Sequence, residues 1–201
     1  MFLLAFTARL ALSAALAGTL PHIPTEQVDA RLTLGSIYEH PAEAVGQELC
    51  FYVQFDGLEE EWNSFGTEFA SETHLRARVW SDDQRLWDRE QFQNPLGHVF
   101  FPAHTRAAAR LQNTQRYQRL LCVGRVRSLR CGRPWIEVTR AYWSRQSLSE
   151  GSLLHAIRGE EMRARQALNL AKDEYNRALT PNLPKAIRSD LEARIEQCLG
   201  E

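Results

Sequence analysis

Between residues 47 and 143 the chain reads as five short strands, with one helix inserted between the third and the fourth. Successive residues of a strand point to opposite faces, so a half-buried strand shows as strict apolar/polar alternation. In the first strand Leu49, Phe51, Val53 and Phe55 point one way, and Cys50, Tyr52 and Gln54 the other. In the second, Leu75, Ala77 and Val79 share a face opposite His74, Arg76, Arg78 and Trp80. A third strand is expected over 97–101, closed by Pro102, with 85–88 as a further piece that could belong to it. Pro102 suits the first turn of a helix, where a missing N–H costs little. The helix expected over 103–119 carries the apolar stripe Ala107, Ala108 and Leu111. Strands over 120–130 and 134–143 follow, joined across Cys131-Gly132 as a tight hairpin. Gly124 in mid-strand predicts a bulge or a corner. A sheet this small escapes exposed edges by closing on itself, so the order predicts a mainly β fold, a five-stranded closed barrel.

Past Ser147 the pattern turns helical. A run over 152–179 places Leu153, Leu154, Ile157, Leu168, Ala171, Tyr175, Ala178 and Leu179 at helical spacings, and Pro181 and Pro184 punctuate it. A further helix over 184–198 sets Ile187, Leu191 and Ile195 on one stripe. Gly159, Leu168, Ala171, Tyr175 and Ala178, with Pro184 near the end, resemble the small and bulky positions of one tetratricopeptide repeat. The turn expected near Arg165 lacks a breaker, and His155 and Arg158 stand where that repeat is usually apolar. One repeat cannot bury its own face, so the hairpin must pack on the barrel, on another copy or on a partner. The organisation expected is a leader over 1–17, a lead-in over 18–44, a barrel over 45–146 and a helical hairpin over 147–201.

Over residues 45–143 the barrel resembles the oligonucleotide/oligosaccharide-binding (OB) fold. The strand alternation, the helix before Leu120, Gly124-x-Val126 and the Pro134-Trp135-Ile136-Glu137-Val138 segment carry the resemblance. It implies a binding face on the outer surface of the first three strands, flanked by loops. Carried onto this chain, that face shows Tyr52, Gln54, Arg76, Arg78 and Trp80, beside a loop with Trp62, Asn63 and Phe65. Aromatic rings offer π-faces and guanidinium groups stack or fork onto anions, and a stacked base is worth about 1–3 kcal/mol. The competing expectation is that the C-terminal helices cover Tyr52 and Trp80. Trp87, Trp135 and Trp143 are expected in packing rather than on the face.

The whole chain carries a net charge of −1 over 201 residues, yet its halves differ. Residues 32–105 hold 13 acidic and 4 basic side chains, and residues 106–145 hold ten Arg against Glu137. Either the halves neutralise each other across the barrel, or Arg119, Arg125 and Arg127 form a basic patch for a polyanion. Lys occurs only at Lys172 and Lys185, a bias that reads as GC-rich, bacterial codon usage.

Residues 1–20 are apolar apart from Arg9 and a few hydroxyls, and Ala15-Leu16-Ala17 is a small-x-small cleavage signal before Gly18. The expectation is export to the periplasm or beyond, with an uncleaved anchor or a misassigned start as alternatives. Four cysteines follow, Cys50, Cys122, Cys131 and Cys198. The first and fourth strands of such a barrel are neighbours, so Cys50 and Cys122 are candidates for a disulfide, or else small buried thiols.

The six histidines (His22, His40, His74, His98, His104 and His155) form no metal-ligand spacing, and no CxxC pair exists. Glu59-Glu60-Glu61 lacks the alternating ligands of a calcium loop. There is no GxSxG elbow, phosphate loop or dinucleotide fingerprint, and His74 with Glu72 alone makes no catalytic set. No cofactor, metal or enzyme activity is expected. The reading is an exported binding or adaptor module for a protein or envelope component, without stable membrane insertion once the leader is removed. An OB-type single-stranded nucleic-acid binder is the alternative, and a purely structural envelope component a third class.

Overall fold

A computed structural model describes residues 32–62 and 69–200. The expected leader, the lead-in up to residue 31, Asn63 and Phe65 lie outside the described residues. The elements are α1 (Leu34–Glu39), α2 (Pro41–Ala44), β1 (Glu48–Glu59), β2 (His74–Ser81), α3 (Arg89–Gln93) and β3 (Leu96–Pro102). They continue as α4 (Arg106–Gln112), β4 (Arg119–Arg130), β5 (Arg133–Trp143), α5 (Glu150–Ala164), α6 (Leu168–Ala178) and α7 (Lys185–Gly200).

The five strands close into a barrel in the order β1-β2-β3-β5-β4. β3 and β5 are parallel, joined at Val99↔Ile136 and Phe100↔Glu137, and the other pairs are antiparallel. The alternation read from the sequence sets the facing. Leu49, Phe51, Val53 and Phe55 are buried inside with Ala77, Val79, Val99 and Phe101. Each such side chain contributes about 1.5–3 kcal/mol when it leaves water. Leu34 and Ile37 of α1, and Ala107, Ala108 and Leu111 of α4, complete this core.

Two helix boundaries differ from the sequence reading. Pro102 ends β3 instead of opening a helix, and α4 starts at Arg106 because Thr105 caps it, its Oγ1 accepting from the Ala108 N–H at 3.1 Å. The helix also stops at Gln112, well short of residue 119. The segment after it is claimed by β1 instead: the Tyr117 N–H donates to the Phe55 carbonyl at 2.7 Å, and the Phe55 N–H to Gln118 at 3.0 Å. Residues 85–88 belong to no strand but lead into α3, whose N-cap is Asp88.

The turn residues behave as their chemistry requires. Cys131 and Gly132 both have positive φ, 51° and 73°, the pairing that a two-residue primed turn needs. The ladder shifts register between Val123 and Gly124, so the mid-strand glycine does mark a bulge. The helical run over 152–179 is interrupted without Gly or Pro. Gln166 adopts φ 61°, the Ala167 N–H reaches back to Met162 and the Gln166 N–H to Arg163, which ends α5 in a Schellman turn.

Helices α5–α7 pack together, and their core is shared with the barrel side. Leu153, Ala156, Tyr175, Ile187 and Leu191 cluster with Trp80, Leu86, Trp87 and Leu148. Tyr175 lies flat against α5 only because residue 159 is glycine: a Cβ there would stand 2.4 Å from the ring.

Gly124 is the sharpest test of the barrel's packing. A Cβ at this position would sit 2.4 Å from the backbone oxygen of Glu137, which cannot swing aside. Gly124→Ala is expected to lower unfolding free energy by about 1–3 kcal/mol, read from urea denaturation of the two proteins.

Candidate binding face of the barrel

Outward residues of β1 and β2 join two aromatic clusters. The first holds Trp80, only 1% exposed. Its ring stacks with Phe92, at 5.3 Å and 20°, and with Tyr117, at 5.7 Å and 5°. Its Nε1–H donates to the Phe92 carbonyl at 3.1 Å, and the Arg116 guanidinium lies 5.5 Å above it. Trp80 therefore belongs to the core shared with α5–α7, the second of the two placements that the sequence allowed. Gln54 beside it has no exposure, and neither of its amide atoms has a hydrogen-bond partner among the described residues. Tyr52 is half-buried beneath the Arg119 guanidinium, 3.6 Å from its ring centroid.

Arg119 is thereby removed from the basic patch expected of it. Its side chain is 7% exposed and forks onto Asp82, with both N···O distances 2.6 Å. A bidentate guanidinium–carboxylate pair this far from water is structural: removing one partner strands a buried charge. Asp56 has a similar office. It is the extra residue in the bulge of β1, 7% exposed, and takes Arg78 at 3.2 Å and Arg116 at 2.8 Å. With Arg140–Glu48 at 3.0 Å, the Arg119–Asp82 and Arg116–Asp56 pairs join the acidic and basic halves of the sequence across the barrel.

A second aromatic cluster lies over β2, β3 and β5, with Phe69 and Phe100 buried and Trp62, His98 and Trp135 half-buried, and it contains residues that the sequence reading passed over. Phe69, Phe100 and Trp135 form a stack, with centroids 4.4 Å apart between the first two and 5.2 Å between the last two. Trp62 meets Phe100 edge-on at 5.8 Å and donates its Nε1–H to the Phe69 carbonyl at 2.9 Å. His98 stands edge-on to Trp135 at 4.9 Å. Arg76 pairs with Glu59 at 3.1 Å, donates to the Gly97 carbonyl, and sets its guanidinium 6.0 Å from the Phe100 ring. Outward parity on β3, opposite Val99 and Phe101, marks His98 and Phe100. The flank of Ile136 marks Trp135 in the same way. Each ring in this group has at least one aromatic neighbour among the described residues.

Beyond Trp135 the β4–β5 hairpin is different. Arg125, Arg127, Arg130 and Arg133 are exposed, and residues 125–133 contain no Asp or Glu. Arg127 approaches Glu137 at 3.7 Å, and the other three have no carboxylate within 4.0 Å among the described residues. The expected disulfide does not form. Phe51, not Cys50, stands opposite Cys122, which is buried in the barrel core, and Cys50, Cys122 and Cys131 are free thiols. Burial pushes the Cys122 thiol well up and that of Cys50 up as well.

His74 faces Glu137 at 3.5 Å and Thr73 at 2.9 Å, away from any pairing with Glu72. Among the described residues no group of three or more His, Cys, Asp or Glu side chains is placed to hold a metal ion. Among them, too, no helix is long and apolar enough to cross a membrane. No protein-family model, characterised protein or solved structure matches the chain.

His98 gives this face a pH signature. Burial, reinforced by Arg76 and Arg133, holds its imidazole down at about 4 against an ordinary 6.5. The unfolded chain then takes the proton first, so stability falls as pH drops from 6.5 towards about 4 and levels off below. Urea midpoints measured through that window should decline more steeply for the parent protein than for His98→Gln.

Proposed function

We propose that this chain is a non-enzymatic binding module that works outside the cytoplasm and recognises a protein or a component of the cell envelope. The strand order β1-β2-β3-β5-β4, with β3 and β5 parallel, supports an OB-type reading of the barrel. The close seat of Tyr175 on Gly159 supports the likeness of α5 and α6 to a tetratricopeptide hairpin. In this reading the helices brace the barrel through Trp80 and leave the β4–β5 end free for a partner.

One observation carries the preference over nucleic acid. The aromatic rings that would serve as a stacking platform are spent on one another: Trp80 on Phe92 and Tyr117, Trp135 on Phe100 and His98. Sequence-tolerant single-strand binding draws much of its energy from free π-faces beside a basic groove. The second reading, a single-stranded nucleic-acid binder, is favoured by the hairpin arginines that lack carboxylates, Arg125, Arg130 and Arg133.

Fluorescence anisotropy of a labelled single-stranded oligonucleotide, titrated with the protein at low and moderate salt, separates the two. The proposal expects no saturable binding at low salt. Binding that weakens steeply with salt and disappears in Trp135→Ala would replace it with the second reading. Expression in a bacterial host tests the compartment: the exported fraction should yield a chain whose N-terminal sequence begins at Gly18.

A further inference from the structure

We infer that the projecting end of the β4–β5 hairpin docks on an anionic lipid surface. The inference rests on the envelope reading above and names the component that this end of the barrel takes. Residues 125–133 read Arg-Val-Arg-Ser-Leu-Arg-Cys-Gly-Arg, four cations without an acid. Arg130 and Arg133 are paired across the strands immediately before the turn, so two guanidinium groups flank the tip. Cys131 and Gly132, both left-handed, close that tip in two residues and hold it rigid.

Aliphatic side chains stand among the cations. Leu129, on the arm of the hairpin, is 36% exposed, and Val45, bridged to Val126 between Arg125 and Arg127, is 44% exposed. This mixture suits a bilayer interface. Guanidinium groups meet headgroup phosphates while aliphatic groups enter the acyl boundary, and each basic residue at an anionic surface adds about a fivefold gain in partitioning. A polynucleotide offers phosphates too, but has no use for Leu129 or Val45. The surrounding geometry favours the bilayer for the same reason: a flat surface needs a projecting charged edge, not a groove.

The test is co-sedimentation of the full chain with vesicles of phosphatidylcholine alone and of equal parts phosphatidylcholine and phosphatidylglycerol. The charge variants keep residues 1–20, so a loss of binding in them is not due to that apolar stretch. Binding is expected on the anionic vesicles only, weakening as salt rises. The double substitution Arg127→Glu with Arg130→Glu should lower it at least about tenfold, and Arg125→Gln with Arg130→Gln supplies an uncharged second version. Leu129→Ser should lower it several-fold, with far-UV circular dichroism matching the parent for every variant. Equal binding to both vesicles, no binding to the anionic ones, or charge variants that bind like the parent overturns the inference. So does a Leu129→Ser protein that binds unchanged, since phosphate charge alone would then explain the contact. A protein that is exported and ignores oligonucleotides, yet also ignores anionic vesicles, overturns this inference and leaves the envelope reading standing.

Discussion

The parallel seam between β3 and β5 holds the barrel shut, and most of the remaining arrangement follows from it. Val99 meets Ile136 and Phe100 meets Glu137 along this seam, bringing together strands that are separated in sequence by α4 and all of β4. Closure leaves no strand edge to aggregate. It also fixes which side chains face inward, because the two-residue period of each strand must agree with its neighbours all the way round. Val99, Phe101, Ile136 and Val138 turn inside. Their outward neighbours His98, Phe100 and Trp135 are thereby forced side by side, and the aromatic face is a by-product of closure.

The second dependency is the stacking of Trp80. Its ring is shared by the barrel and helix clusters and stacks with both Phe92 and Tyr117. Tyr117 adopts φ 67°, a costly conformation for an aromatic residue, and keeps it because its N–H is bound to Phe55 and its ring to Trp80. Charge supports the same joint. Arg116 spans Asp56 and the Trp80 stack, and Arg85 reaches Asp190 of α7 at 3.0 Å. The acidic and basic halves of the chain thus cancel locally along the barrel wall. On the β4–β5 hairpin Arg125, Arg130 and Arg133 have no carboxylate within 4.0 Å among the described residues.

Sequence alternation reported β1, β2, β4 and β5 faithfully, since each strand has one dry face and one wetter one. Gly124 and the Cys131-Gly132 pair were legible because bulges and primed turns make chemical demands that few residues meet. α3 was not legible: five residues without a buried side chain carry no periodic signal. The early end of α4 was equally hidden, because residues 113–118 have no local reason to leave a helix. β1 captures them through two backbone hydrogen bonds. The break at Gln166 was obscured for a related reason, a left-handed glutamine held by bonds back into α5.

The candidate site shows the same division. That the chain makes a closed barrel with a helix before its fourth strand, and carries helices behind it, was already present in the order of residues. Local period and turn chemistry suffice for that. Which tryptophan packs beside the helices and which joins the aromatic cluster over β3 and β5 was not, because Trp80 and Trp135 are both outward residues of strands, with identical local signals. Trp80 is covered because Phe92 and Tyr117 stack on it beside side chains from beyond Ser147, and Trp135 stacks on Phe100 because a parallel seam joins two distant strands. Arg119 and Arg125 are alike in sequence too, yet Asp82 reaches the first, and no described carboxylate lies within 4.0 Å of the second. Such pairings depend on which surfaces meet in three dimensions, and no property of the neighbours along the chain encodes them.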